Sequence, residues 1–153
     1  MTAPLPVLRL RRHEDRRVRQ GHPWVYSNEV DPAVAPVASF EPGSWAVVES
    51  AAAEPLGTAY VNPHSLICAR LVSAKPNEPL TRAVLAQRLR RAAALRERLF
   101  PEPFYRLAFG ESDGLPGLVV DRYGPVLVVQ MSTAGMERMR PEILEVLQEL
   151  FVP

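Results

Sequence analysis

The sequence predicts an α/β protein of the α+β kind, in which a small β-barrel is followed by a small domain of helix and antiparallel sheet. Short apolar runs separated by turn residues fill the first half of the chain, as expected for barrel strands. A long amphipathic helix pattern comes next, followed by three strand patterns and a closing helix. The 153 residues have room for two small domains. We expect the barrel at residues 1–73 and the second domain at 74–153, with a linker at 74–80.

The predicted barrel contains five extended segments and one short helix. Its extended segments are expected at residues 5–11, 24–30, 45–50, 56–61 and 66–72. Residues 13–20 predict a helix that stops at Gly21, with Pro23 just beyond. We expect Trp24 to be anchored in the core of the barrel.

One strong helix opens the second domain. It is predicted to begin near Thr81 and to end before Pro101. Its apolar stripe, at helical spacing, consists of Leu85, Leu89, Ala92, Leu95 and Leu99. Arg96 falls within this stripe, and a charge on an apolar face needs a partner. We expect that partner to be Glu111 or Asp113.

Three strands and a last helix complete the second domain. The strands are predicted at residues 104–110, 118–124 and 126–131. The helix begins near Pro141, a residue suited to the first helical turn, and runs to Phe151. Its apolar face is predicted to consist of Ile143, Leu144, Leu147, Leu150 and Phe151.

Composition limits the class of protein. The sequence has no apolar run of about 18 residues, so we expect neither a membrane-spanning helix nor a membrane partner. The first residues lack the apolar segment of a signal peptide. The single cysteine, Cys68, excludes a disulfide within the chain and is typical of a reducing compartment. We therefore expect a cytoplasmic protein.

Charge is strongly segregated along the chain although the net charge is only +1. Residues 1–22 carry six arginines against two acids, and residues 82–106 carry seven against two. The remaining stretches, 23–81 and 107–153, are acidic. Arginine clusters suit phosphate groups, so the distribution predicts a basic face for a nucleic acid. The alternative for the first basic segment is a solvated helix in which Glu14 and Asp15 pair with its arginines.

The first basic segment is the best candidate for RNA contact. Its cations lie close in sequence to aromatic residues, a combination that single-stranded RNA recognition uses. The residues expected to contact RNA are Arg11, Arg12, Arg16, Arg17, His22 and Trp24.

Other patterns give no chemistry of their own. Gly110, Gly114 and Gly117 precede a strand and not a helix, so the anion site of a dinucleotide loop is absent. These glycines are better explained as turn residues with positive φ. The three histidines and Cys68 lack zinc-ligand spacing, and no nucleophile-elbow pattern surrounds Ser112.

An acidic cluster admits two interpretations. Glu111, Asp113 and Asp121 could bind a metal, or they could pair with the second domain's arginines. We favour the pairing interpretation, with Arg96, Arg106 and Arg122 as partners. The sequence therefore predicts no metal site and no catalytic residue.

Two long motifs resemble a known family. Residues 17–30, R-x3-GHPWVYSNEV, resemble the opening of the PUA domain in bacterial 23S rRNA 5-methylcytosine methyltransferases of the RlmI type. Residues 105–123, YRL-x-FGESDGLPGLVVDRY, resemble the signature of that family's central domain. The resemblance implies structural roles for Gly21, Pro23, Arg96, Glu111, Asp113, Gly114, Pro116, Gly117, Asp121 and Tyr123.

The resemblance also implies a function and its limits. Members of the family continue with a Rossmann-like domain that binds S-adenosylmethionine and carries a cysteine nucleophile, and nothing in this sequence matches that domain. We therefore expect an RNA-binding, substrate-positioning part of an rRNA cytosine-C5 methyltransferase, with rRNA as partner and no cofactor of its own. The chain alone is predicted to be inactive, which a methylation assay on unmodified rRNA tests. The alternatives are a free-standing RNA-binding protein and a protein-interaction module.

The resemblance further predicts an incomplete second domain. The family's central domain has more strands after its helix, so the chain is expected to be truncated and its antiparallel sheet to have an unpaired edge. An unpaired edge invites pairing with another chain. We expect a homodimer through this edge as one possible outcome.

Overall fold

Five short strands in the first part of the chain form one curled sheet. The computed structural model describes residues 3–152 and divides into two compact units, the first ending at Pro79 and the second beginning at Leu80. The first unit contains β1 (Val7–Arg9), α1 (Arg16–Arg19), β2 (Trp24–Tyr26), β3 (Ser44–Glu49), β4 (Pro55–Val61) and β5 (Ile67–Ser73). The strand order is β1-β3-β4-β5-β2.

Hydrogen bonds between β1 with its following residues and the segment beyond β2 explain the curl. β1 pairs in parallel with β3, and the remaining neighbours are antiparallel. Beyond β1, the amide of Arg11 donates to the Glu29 carbonyl at 2.8 Å, and the Asp31 amide donates to the Arg9 carbonyl at 2.8 Å. These bonds draw the sheet into a half-barrel, which confirms the predicted barrel class.

The core of the first unit contradicts one prediction. The inward side chains of every strand are buried, among them Leu8, Val25, Val48 and Cys68. Trp24 is only half-buried, because side chains alternate across a strand and its neighbour Val25 takes the inward position. The expectation that Trp24 is anchored in the core was therefore wrong.

The helix of the first unit is shorter than the sequence suggested. It spans Arg16–Arg19 and not residues 13–20. His13 has φ of 69°, a left-handed conformation that cannot continue into an α-helix. The helix ends at Arg19, two residues before Gly21, whose φ of 92° turns the chain where the stop was predicted.

The second unit packs helices against a three-stranded antiparallel sheet. It contains α2 (Arg82–Leu99), β6 (Phe104–Phe109), β7 (Leu118–Tyr123), β8 (Val126–Met131), α3 (Ala134–Arg138) and α4 (Arg140–Phe151). The sheet order is β6-β7-β8, and α2 packs against β6 and α4. The predicted antiparallel sheet is confirmed.

The buried face of α2 differs from the predicted stripe. The Thr81 hydroxyl caps the helix by accepting from the Val84 amide at 3.3 Å. Leu85, Leu89 and Ala92 are buried as expected, together with Ala93. Leu95 and Leu99, however, are 50% and 66% exposed. Near the end of the helix the inward position is occupied by Arg96, whose side chain is paired and 14% exposed. Leu95 and Leu99 therefore face solvent.

The end of the chain contains two helices where the sequence predicted one. A short α3 precedes α4 and is capped by the Thr133 side chain, which accepts from the Met136 amide at 3.4 Å. The buried face of α4 consists of Ile143, Val146 and Leu147, so the prediction was wrong for Leu144, which is exposed.

No helix among residues 3–152 is long and apolar enough to cross a membrane.

Candidate nucleic-acid interface

The turn between α1 and β2 lies at the centre of the predicted site. The His22 amide donates to the Arg17 carbonyl at 3.0 Å, so the chain folds back at Gly21, where positive φ makes glycine suitable. Arg17, Gln20, Gly21, His22 and Pro23 line a surface cleft of about 450 Å³. A second cleft of about 200 Å³ lies along the same turn. The motif residues Gly21 and Pro23 therefore shape an open, concave surface.

A row of aromatic and arginine side chains crosses the sheet beside this turn. Strand register places Trp24 opposite Arg70, Arg70 opposite Tyr60, and Tyr60 opposite Trp45. The Arg70 guanidinium lies over the Trp24 ring at 5.2 Å. The rings of Trp45 and Tyr60 meet edge to face at 5.9 Å. Tyr60 is only 2% exposed, whereas Trp24, Trp45 and Arg70 are partly exposed. This row, here called the Trp24–Trp45 row, therefore offers the flat groups of these three residues, which are of the kind on which nucleic-acid bases stack.

His22 is joined to the end of the row. Its ring lies edge-on to Trp24 at 5.6 Å, and its Nδ1 accepts a hydrogen bond from the Trp24 amide at 3.3 Å. The structure thus brings His22 and Trp24 together as two of the predicted contact residues. Arg70 was not among the predicted contact residues. It is a lone charge inside an apolar strand, but only strand register places it opposite Trp24.

Of the four arginines predicted to contact RNA, two have partners within the protein and two do not. Arg17 pairs with the buried carboxylate of Glu29 and lies over the Tyr26 ring at 5.0 Å, and Arg11 donates to the Val30 carbonyl at 3.0 Å. Arg12 and Arg16 are exposed and, in the described part of the chain, have neither an ion pair nor a hydrogen bond through their side chains. No contact joins Arg12 or Arg16 to the Trp24–Trp45 row.

One further arginine of α1 is neutralised locally. Arg19 pairs with Asp15 at 2.6 Å and also with Glu54. The hydrogen bond from Arg19 lowers the pKa of Asp15 below its usual value. The alternative interpretation of this helix, internal pairing of its charges, therefore holds for Arg19 and Arg17 but not for Arg16.

Arg96 and Asp113 form a largely buried ion pair at the centre of the second motif. The two guanidinium NH2 groups of Arg96 reach Oδ1 and Oδ2 of Asp113 at 2.5 and 2.8 Å, and the two side chains are 14% and 8% exposed. The Phe109 amide also donates to Asp113 at 2.7 Å. Asp113 is one of the two partners predicted for Arg96, and the pair links α2 to the motif loop.

The glycines of the second motif are turn residues, as predicted. Gly110, Gly114 and Gly117 have φ of 53°, 71° and 87°. The Gly114 carbonyl accepts from Arg88, and Gly117 leads directly into β7. Glu111 is half-buried in the short 3-10 turn before Gly114.

The remaining motif residues lie around the sheet. Asp121 accepts two hydrogen bonds from Arg106, at 2.8 and 3.2 Å. This hydrogen bonding with Arg106 lowers the pKa of Asp121 below its usual value. The Pro116 carbonyl accepts from Thr133 at 3.5 Å, and Tyr123 is exposed. Arg122, which we expected to pair with the acidic cluster, instead donates to the Tyr105 hydroxyl at 3.1 Å.

Two features bear on reactive chemistry in the described part of the chain: its cysteine and its possible metal ligands. Cys68 is fully buried in the first unit, and burial raises the pKa of its thiol to about 12, so the thiol is protonated and inert near neutral pH. Residues 3–152 contain no cluster of three His, Cys, Asp or Glu side chains that could hold a metal. The arrangement is suited to binding by stacking and phosphate contact.

Comparison with known proteins agrees with the two motifs. The family model of the PUA-like domain matches residues 8–74. The chain is 35% identical to the ribosomal RNA large subunit methyltransferase I of Cronobacter sakazakii, over 93% of this chain and 36% of that protein. It is 33% identical to the protein of that name from Vibrio cholerae, over 95% of this chain and 36% of that protein. The chain thus spans about a third of the length of these relatives.

A solved structure shares the fold. A Streptococcus mutans protein described as a SAM-dependent methyltransferase superimposes with a TM-score of 0.80, over 97% of this chain and 38% of that one. At 17% sequence identity, this likeness concerns the fold alone. The sequence matches confirm the family resemblance that residues 17–30 and 105–123 predicted.

Proposed function

Because residues 8–74 belong to the PUA-like domain family and the chain matches part of the ribosomal RNA large subunit methyltransferase I proteins, we propose that it binds ribosomal RNA. Its role is to hold that substrate for methylation at cytosine C5. A ribosomal RNA partner would place the chain in the cytoplasm.

The observation that carries the proposal is the Trp24–Trp45 row beside the cleft at Gly21. Unstacked RNA bases bind to aromatic rings and to the planes of arginine guanidinium groups. Trp24 is half-buried, so its ring is held firmly while part of it meets solvent. Arg70, which lies over this ring, extends the planar surface and adds a positive charge.

Phosphate contact is assigned to the unbound arginines of the first unit. Arg12 and Arg16 are exposed, and a guanidinium without an internal partner keeps its full charge for a phosphate oxygen. Arg17 acts differently, because its charge is compensated by Glu29. We propose that Arg17 stabilises the turn at Gly21, next to which His22 lies.

The described residues do not fit the cofactor that the relatives imply. S-adenosylmethionine-binding folds place a glycine-rich turn between a strand and a helix N-terminus. The glycine-rich loop of this chain, residues 110–117, leads into strand β7, and Arg88 closes on Gly114 within it.

Replacing Trp24 by alanine is expected to weaken RNA binding by about tenfold, because stacking of one base on an aromatic ring contributes about 1–3 kcal/mol. The measurement is fluorescence anisotropy with a labelled rRNA hairpin.

The variant Arg12→Gln/Arg16→Gln should also bind RNA more weakly. The slope of log K against log salt should fall by about 1 for each arginine removed.

The matched control is Phe104→Ala, which removes an exposed aromatic ring from the second unit. It should leave RNA affinity unchanged. Absence of RNA binding by the unmodified chain at low salt would refute the proposal. Equal losses for Trp24→Ala and Phe104→Ala would refute the assignment of the stacking surface.

Homodimer formation through the sheet of the second unit stays a prediction. β8 is an edge strand, and its Val126 and Val128 side chains are exposed. An edge of this kind can pair with the same edge of a second copy. Sedimentation over a range of protein concentrations measures it, and a monomer at all concentrations contradicts it.

A further inference from the structure

Three arginines on the solvent side of α2 have no partner in the second unit. Four other arginines of residues 82–106 are held by acidic or carbonyl groups: Arg82, Arg88, Arg96 and Arg106. Arg90, Arg91 and Arg98 are exposed, and within residues 3–152 their side chains form no ion pair or hydrogen bond. Of the seven arginines in residues 82–106, four are therefore held by partners within the protein and three are available to a ligand.

The three free arginines lie on one side of the helix. Each residue of an α-helix advances by about 100°, which places Arg90, Arg91 and Arg98 within an arc of about 100°. Leu85 and Leu89 lie on the opposite, buried side. Over the eight residues from 91 to 98 the helix rises by about 10 Å. The three arginines therefore share one exposed side of the helix, here called the α2 ridge.

The charge of the α2 ridge is not compensated by the helix itself. Glu97 is the one acidic residue of α2, and its carboxylate lies 3.9 Å from Arg122. On the same arc the helix otherwise carries only the small or neutral side chains of Ala83, Gln87 and Ala94. A polyanion can therefore approach the ridge closely, while two copies of the ridge would repel each other.

We propose that the α2 ridge binds the phosphate backbone of RNA as a second site, in a unit other than that of the Trp24–Trp45 row. This inference rests on the proposed function, since it assumes that RNA is the ligand of the chain. The ridge offers forked guanidinium donors for phosphate oxygens and has no aromatic side chain on the same arc. It contributes affinity without reading bases.

The test compares two double variants that remove the same charge from the second unit. Arg91→Gln/Arg98→Gln alters the ridge. Arg138→Gln/Arg140→Gln is the control, because Arg140 pairs with Glu137 and Arg138 also has a partner. Affinity for a labelled rRNA hairpin is measured by anisotropy across a potassium chloride series, and circular dichroism checks that both variants keep their helices.

The ridge variant should bind about tenfold more weakly near physiological salt and lower the slope of log K against log salt by about 2. The control variant should match the unmodified chain. In the unmodified chain, the Nε–Hε resonances of Arg90, Arg91 and Arg98 should shift when the hairpin is added. That measurement needs no variant.

Each other outcome overturns the inference in a distinguishable way. If the unmodified chain binds no RNA, the proposed function fails and the ridge proposal fails with it. If Trp24→Ala weakens binding while the ridge variant behaves like its control, only the ridge proposal fails. Equal loss in both double variants indicates bulk charge alone. Competition by poly-glutamate as strong as by RNA of equal charge indicates an acidic polypeptide partner instead.

Discussion

Replacing Asp113 by alanine is expected to lower the free energy of unfolding of the second unit by about 3–5 kcal/mol, the usual loss when one partner of a buried ion pair is removed. Arg96 would keep its charge in a site where it is 14% exposed, with its carboxylate partner gone. The Phe109 amide would also lose its acceptor. Urea unfolding followed by far-ultraviolet circular dichroism measures the change, because α2 and α4 belong to this unit.

The control for this variant is Asp121→Ala, which breaks a second Arg–Asp pair of the same unit. Arg106, the partner of Asp121, is 47% exposed, and an exposed pair contributes little because water solvates the separated charges. Its removal should therefore cost clearly less than the loss of Asp113. Equal losses for the two variants would show that burial of the Arg96–Asp113 pair has no special weight.

A second large loss is expected for Gly57→Ala in the first unit. A Cβ atom at this position would lie 2.3 Å from the Ser73 carbonyl oxygen and 2.9 Å from the Leu71 side chain. The nearest atom belongs to the backbone of β5, so strands β4 and β5 would have to separate. We expect a loss of about 3 kcal/mol, at the upper end of the range for overpacked sites.

The matched control for Gly57→Ala is Gly21→Ala. Gly21 also has positive φ, but a Cβ atom there would have no neighbour within 4 Å, so only backbone strain of about 1–2 kcal/mol is expected. Both tryptophans and Cys68 belong to the first unit, so tryptophan fluorescence and thiol labelling follow its unfolding specifically. A smaller loss at Gly57 than at Gly21 would contradict the steric argument.

The arginines show how far sequence patterns lead towards a site. Clustering along the chain correctly marked residues 82–106 as strongly basic. It could not separate Arg96, which is bound to Asp113, from Arg98, which has no partner among the described residues. The difference depends on which face of α2 each residue occupies and on a loop residue, Asp113, that lies 17 positions beyond Arg96. Availability for a ligand is therefore a property of the folded unit.

The sequence alone determined the features that depend on neighbouring residues. Periodicity predicted the strands and α2, and turn chemistry predicted the positive φ values at Gly110 and Gly117. An isolated charge on an apolar stripe predicted that Arg96 needs an acidic partner and narrowed it to Glu111 or Asp113. Such signals are local, because spacing and backbone preference act over a few residues. The two family motifs extended them to fold and function.

Only the tertiary structure decided the features that depend on distant pairing. Trp24 points away from the core because the register of β2 with β5 gives the inward position to Val25. The same register places Arg70 over the Trp24 ring. Hydrogen bonding between strands far apart in sequence sets this register, and a shift of one residue would reverse every side chain. No local pattern in the sequence contains that information.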